Sequence, residues 1–338
     1  MIFQNAELHN IQETLPAPDG EGWRLRRVPG VLWEKLNPGA QLRSYSPAGA
    51  ELRFNLLGDS ARITLKYVED RAPLAHGWPV IAEIHHGDFF ARWIEVRETW
   101  TEVIITPPPN LAAMTAMTAG PKRRFDPALV RLVLPYLPEI RLQGITGQIS
   151  PPAPDQVPLR RYLAYGSSIT NGAFAARPGE TYPARVAREL GVDHFNLGFG
   201  AGAYLEPEMS AWIASRDDWD LASFELGTNL VAKISVEDFA GRVDAFLGPI
   251  VARHRDKWIF VIDLFSPAAD ARGDPKPEAF RAVVRAALER LAAPRLVYVD
   301  GRRLLPDASG LISDLNHPSS DGTEAIAQRL GALMGGLF

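Results

Sequence analysis

Residues Ala61-Arg62-Ile63-Thr64-Leu65-Lys66-Tyr67 alternate apolar and polar positions, the period of a strand with one face buried. Short runs rich in Val, Ile, Phe, Tyr and Trp lie on either side. They cover 51–57, 61–68, 79–85, 89–96, 100–106 and 130–135, with turn signals such as Gly58-Asp59 and Gly87-Asp88 between them. This pattern predicts strands, and strands so closely spaced predict an antiparallel β-sandwich of jelly-roll kind. The stretch 107–127, with Met114, Met117 and several prolines, reads as a long loop or a short helix.

The rhythm changes after 147–158, GQISPPAPDQVP, whose prolines mark a semi-rigid linker. Beyond it, short apolar runs at 161–165, 194–197, 221–226, 258–264 and 296–299 predict strands. They alternate with helical patterns at 183–190, 236–255, 277–291 and 322–334. Such alternation predicts an α/β fold, a parallel sheet with helices on both faces. The expected organisation is a sandwich domain over 1–148, a linker over 149–159 and an α/β domain over 160–338, with no internal repeat.

Composition narrows the classes. The 338 residues are 46% hydrophobic and 22% charged, with a net charge of −4 and a mean hydropathy of −0.09. That balance carries no footprint for nucleic acid or an anionic membrane. The cluster Lys122-Arg123-Arg124 reads as a solvated loop. There is no cysteine, so disulfides, thiolate chemistry and zinc–thiolate sites are excluded. The N-terminal segment lacks the basic and apolar regions of a signal peptide, and no apolar run is long enough to span a bilayer. The expectation is a soluble cytoplasmic protein.

Parallel sheets present reactive residues in loops after strand C-termini, and three such loops stand out. Gly166-Ser167-Ser168-Ile169-Thr170-Asn171-Gly172 follows the first α/β strand. A serine at a strand-to-helix turn can present its hydroxyl beside free backbone N–H groups, although small residues there often only make a turn. Gly198-Phe199-Gly200-Ala201-Gly202 follows the second strand. It opens like a dinucleotide fingerprint, but Asp217 and Asp218 precede a strand instead of ending one. Gly227-Thr228-Asn229 follows the third. Asn229 is there either a turn residue or a donor to an oxyanion.

A fourth loop, Asp314-Leu315-Asn316-His317-Pro318, precedes the last helix. A serine hydroxyl needs a base to take its proton, and a carboxylate on the other imidazole nitrogen fixes the tautomer. Of the histidines in the α/β half, His194 starts a strand and His254 lies on a helix, so both read as structural. His85 and His86 are adjacent in a strand and face opposite sides, which makes a poor metal site.

In this order the blocks resemble the SGNH/GDSL hydrolase superfamily over about 160–338. The resemblance implies a flavodoxin-like parallel sheet with Ser168 as nucleophile, His317 as base and Asp314 as its orienter. It implies an oxyanion hole from the Ser168 N–H, the Asn229 side chain and a backbone N–H in the second block. That last position falls on Ala201, with Gly200 and Gly202 as alternatives. The usual Asp before the nucleophile is Ser167 here. The sandwich-plus-SGNH layout also looks like carbohydrate esterase family 2 and related GDSL acyltransferases. The implied function is an esterase cleaving a small acyl group, acetyl for choice, from a small-molecule or carbohydrate ester, with neither organic cofactor nor metal. An acyltransferase and an inactive carbohydrate-binding protein are the alternatives. Trp78, Trp93 and Trp100 read either as a sugar platform or as buried sandwich aromatics.

Overall fold

In a computed structural model, described here for residues 1–68, 79–118, 120, 124–265 and 268–338, the chain forms two layers of contrasting topology. Trp78, Lys122 and Arg123 lie outside the described residues.

The N-terminal half contains β1 (Ile2–Phe3), β2 (Ala6–His9), β3 (Glu13–Pro16), β4 (Trp23–Arg26), α1 (Gly30–Trp33) and α2 (Pro38–Arg43). They are followed by β5 (Glu51–Val68), β6 (Ile81–His86), β7 (Phe89–Glu95), β8 (Thr101–Ile105), α3 (Leu111–Met117), β9 (Leu129–Val133) and β10 (Glu139–Ser150). Among the described residues these strands form one antiparallel sheet, in the order β3-β4-β10-β5-β9-β6-β7, with β2 and β8 also on β5. The 6–7 hairpin turns at Gly87-Asp88, as its sequence predicts. The 58–59 pair does not turn. β5 is a single strand of 18 residues that bulges against β10: residues 57–60 lie opposite Gln148 alone, at the register shift between Gly147 and Ile149.

The second half of β5 alternates as expected, with Ala61, Ile63 and Leu65 buried in the sheet's core. Its first four residues are buried on both faces. Leu52 and Phe54 enter that core, while Glu51 and Arg53 face the other half of the molecule. Arg53 makes a bidentate pair with Asp193 at 2.6 and 2.8 Å, and Glu51 is held by Arg53 and Arg131. Burial disfavours the Asp193 charge, but Arg53, followed by His9, overcomes this and holds its carboxyl far below the usual range. Trp93, expected either to be buried or to form a platform, is 55% exposed on β7, and the Trp100 ring is covered by the Lys66 ammonium at 4.8 Å.

The C-terminal half is an alternation of β11 (Arg161–Gly166), α4 (Ser168–Asn171), α5 (Tyr182–Leu190), β12 (Asp193–Gly198), α6 (Pro207–Ser215) and β13 (Leu221–Glu225). It continues with α7 (Val236–Arg253), β14 (Trp258–Ile262), α8 (Ala268–Ala271), α9 (Lys276–Leu291), β15 (Leu296–Val299), α10 (Gly301–Leu304) and α11 (Ser320–Gly335). The five strands are parallel, in the order β12-β11-β13-β14-β15. Strand side chains alternate between faces. Leu163, Tyr165, Phe224 and Val261 pack with α6, α7 and α9, and Tyr162, Ala164, Phe260 and Ile262 pack with α5 and α11. α5, α7 and α11 start on side-chain caps, from Thr181, Ser235 and Ser319.

β12 is an edge strand of this sheet, yet all six of its residues are buried. Side chains of the N-terminal half replace a neighbouring strand. His9 Nε2 donates to His194 O, Asn10 Nδ2 and Arg27 Nη1 to Asn196 O, and Arg27 Nη2 to Gly198 O. Arg27 is fully buried, and its remaining bonds go to the Ser46 and Arg43 carbonyls. With no carboxylate beside it, burial, and then Arg43, lower its pKa to about 9.

Candidate active site

Three of the four loops singled out from the sequence follow the adjacent strands β11, β12 and β13, and the fourth lies over them just before α11. This is the switch point of the sheet, where β11 connects to one side and β13 to the other. Ser168 is the first residue of α4. Ser167 caps that helix, its Oγ accepting the Ile169 N–H at 3.2 Å.

Ser168 Oγ and His317 Nε2 are 2.7 Å apart, although 149 residues separate them in the chain. His317 Nδ1 is 2.6 Å from Asp314 Oδ2, and Asp314 Oδ1 accepts the backbone N–H groups of Asn316 and His317, each at 2.9 Å. An ionised carboxylate can only accept, so Nδ1 carries the proton and Nε2 is free to accept one. Partial burial works against the Asp314 charge, but the bonds from the His317 backbone and ring outweigh it and hold the carboxyl below its ordinary range. Ser168 and His317 are buried. The Phe174 ring lies against the imidazole, with centroids 5.2 Å apart.

The second-block loop lies beside the serine. A Cβ built on Gly200 would sit 3.4 Å from Ser168 Cβ. Backbone hydrogen bonds sort its N–H groups. Phe199 N–H donates to Gly166 O, Gly202 N–H to Phe199 O, and Ala203 N–H to Asn229 Oδ1 at 3.1 Å. Gly202 is therefore removed as a donor, and the N–H groups of Gly200 and Ala201 remain. Ala201 holds the left-handed conformation, φ +60°, at the position the resemblance singles out. The Ala203 bond also fixes the Asn229 amide. A backbone N–H can only donate, so Oδ1 faces Ala203 and Nδ2 faces away, available as a donor.

The structure adds residues that the sequence did not single out. Asn37, cap of α2, donates from Nδ2 to Gly202 O at 2.8 Å and also bonds Glu206. A Cβ on Gly202 would collide with the Ala40 backbone, so α2 rests directly on the second-block loop. Arg43, buried at the end of α2, has its Nε 3.7 Å from the same built Gly200 Cβ. Asn37-Pro38 was the available signal, an N-cap residue followed by proline at the first helical position.

The other histidines lie elsewhere. His194 is buried with no partner for Nε2 among the described residues, and burial lowers its pKa to about 3. His254 Nε2 bonds Ala214 O at 3.0 Å. His85 lies 3.3 Å from Glu83. Among the described residues no group of three or more His, Asp or Glu side chains could hold a metal ion.

Residues 164–325, within the α/β half, match the GDSL-like lipase/acylhydrolase family. Solved structures share the whole two-part architecture. The salicylyl-acyltransferase SsfX3 from a tetracycline biosynthetic pathway is 22% identical, with a TM-score of 0.78 over 98% of this chain and 96% of that one. A family two carbohydrate esterase from Cellvibrio japonicus is 14% identical, with a TM-score of 0.62 over 98% and 95%. One from Clostridium thermocellum, in complex with cellohexaose, is 17% identical, with a TM-score of 0.55 over 85% and 91%. No curated protein matches the sequence.

Proposed function

We propose that this protein is a serine esterase that cleaves a small acyl group, acetyl for choice, from a carbohydrate or other small-molecule ester. The observation that carries this reading is the unbroken hydrogen-bonded line Ser168–His317–Asp314, at 2.7 and 2.6 Å, at the C-terminal edge of a parallel sheet. Ser168 Oγ attacks the ester carbonyl as its proton passes to His317 Nε2. Asp314 holds the imidazole and stabilises the imidazolium. The Ser168 N–H, the Gly200 or Ala201 N–H and Asn229 Nδ2 receive the oxyanion. His317 then protonates the leaving alcohol, and water, activated by the same imidazole, releases the acid from Ser168.

The test is hydrolysis of p-nitrophenyl acetate by wild type beside Ser168→Ala. Loss of turnover in a folded variant is the expected result, and retained turnover rules out Ser168 as nucleophile. The full-length likeness to an acyltransferase favours a second reading, in which an acceptor hydroxyl replaces water on the same acyl-enzyme. Alcohol acceptors added to the assay separate the two: ester product in place of acid favours transfer.

A further inference from the structure

The family resemblance places a carboxylate just before the nucleophile, and this chain has Ser167 there. A carboxylate is nevertheless present at that point in space. Glu225, the last residue of β13, is 1% exposed. Its Oε2 accepts the Ser167 N–H at 2.7 Å, the Ser167 hydroxyl at 2.7 Å and the Thr170 hydroxyl at 3.0 Å. Its Oε1 is buried with no hydrogen-bond partner among the described residues. From Thr170 the bonds continue to the Tyr182 hydroxyl at 2.7 Å, beneath the turn.

We infer that Glu225 is a positioning residue for the nucleophile, supplying from β13 the carboxylate that the family pattern carries at position 167. The inference rests on Ser168 being the nucleophile. The geometry gives Glu225 hold of the turn at two points. The bond to the Ser167 N–H sets the Gly166–Ser167 peptide, one residue ahead of the nucleophile. The Ser167 hydroxyl is donated to Glu225, so its lone pairs face the Ile169 N–H, one residue past Ser168. The peptide entering Ser167 and the peptide leaving Ser168 are thus both held, one on each side of the Ser167–Ser168 peptide. Convergence of three donors on one buried oxygen is the environment of a carboxylate anchor. Such a site tolerates one carboxylate and not two, since like charges in one buried space repel.

The arrangement predicts a reciprocal swap. Wild type, Glu225→Gln, Ser167→Asp and the double variant are compared for kcat and KM on p-nitrophenyl acetate, for thermal midpoint, and for the rate of Ser168 labelling by a fluorophosphonate probe. Glu225→Gln is expected to lower kcat and labelling about tenfold with KM within about twofold, a loss confined to the transition state. Ser167→Asp alone is expected to fall at least as far, and the double variant to recover to within about threefold of wild type, the signature of coupled neighbours. A double variant no better than the worse single one, or a Glu225→Gln enzyme with wild-type kcat, overturns the inference. If Glu225→Gln alone does not fold, Ser167→Ala carries the test: it keeps the carboxylate and removes its hydroxyl partner. A lower kcat at unchanged KM supports the inference and an unchanged kcat overturns it. A wild type that labels at Ser168 while every variant equals it sinks only the role of Glu225. A wild type that neither turns over nor labels removes the nucleophile reading and this inference with it.

Discussion

Asp314 is the most exposed member of the hydrogen-bonded line, with 38% of its side chain open to solvent. Its hold on His317 therefore depends on local geometry, two backbone N–H bonds and one ring bond within four residues. Asp314→Asn keeps the size but offers an N–H where Nδ1 needs an acceptor, and kcat on p-nitrophenyl acetate is expected to fall about a thousandfold with the fold intact. Asp263 behaves in the opposite way. It is fully buried; burial raises its pKa to about 6, although Tyr298 and the Gly301 N–H bond it. Between the unfolded value and pH 6 the folded protein holds a proton that the unfolded chain has lost, so stability falls as pH rises through that window, by about 3 kcal/mol in all. Asp263→Asn is expected to flatten this fall, with a gain over wild type at pH 8 that vanishes near pH 4 in denaturant midpoints. At this scale Ser168, His317, Asp314 and Asn229 could be singled out from the sequence because each sits in a short loop of recognisable composition, and the structure brings the first three into one hydrogen-bonded line. Glu225 could not. It looks like an ordinary strand residue, and its meaning comes from Ser167, 58 residues away in the chain.

The contact between α2 and the loop after β12 links the N-terminal half to the chemistry. Gly202→Ala would force a Cβ into the Ala40 backbone, and with it the loop bearing the Gly200 and Ala201 N–H groups. We expect kcat to fall at least tenfold, while fluorophosphonate labelling still shows Ser168 and His317 assembled. Asn37→Ala removes both a helix cap and the bond to Gly202 O. It is expected to cost about 1 kcal/mol of stability and to lower kcat with it, measured by urea unfolding beside the ester assay. The five strands and α5, α7, α9 and α11 of the α/β half were legible because their periods are clear, whereas α6, with no side-chain cap, was not. The 18 residues of β5 were not. A glycine followed by aspartate signals a turn locally, and only the neighbouring β10 decides that the chain continues. α1 and α2 were missed because four and six residues are too few to establish a helical period.

Across the whole molecule the two halves are joined by charge. Arg53, Asp193 and Glu51 are each no more than 2% exposed. Removing one partner leaves the other buried and uncompensated, so Asp193→Ala is expected to cost about 3–5 kcal/mol, whereas Arg53→Met with Asp193→Leu together recovers most of it. Urea midpoints of the two variants beside wild type decide this. The sequence named two halves and the change of rhythm between them, but the pairing of Arg53 with Asp193 spans 140 residues and leaves no local trace. The capped edge of the parallel sheet has a consequence for solubility. An uncovered edge strand is a template onto which another chain can add. In this protein the carbonyls of His194, Asn196 and Gly198, which would recruit such a strand, are occupied by His9, Asn10 and Arg27. Besides bearing on the loop beside Ser168, the N-terminal half thus covers this edge against the addition of a further strand. An α/β half produced without it would meet other copies edge to edge before it met a substrate.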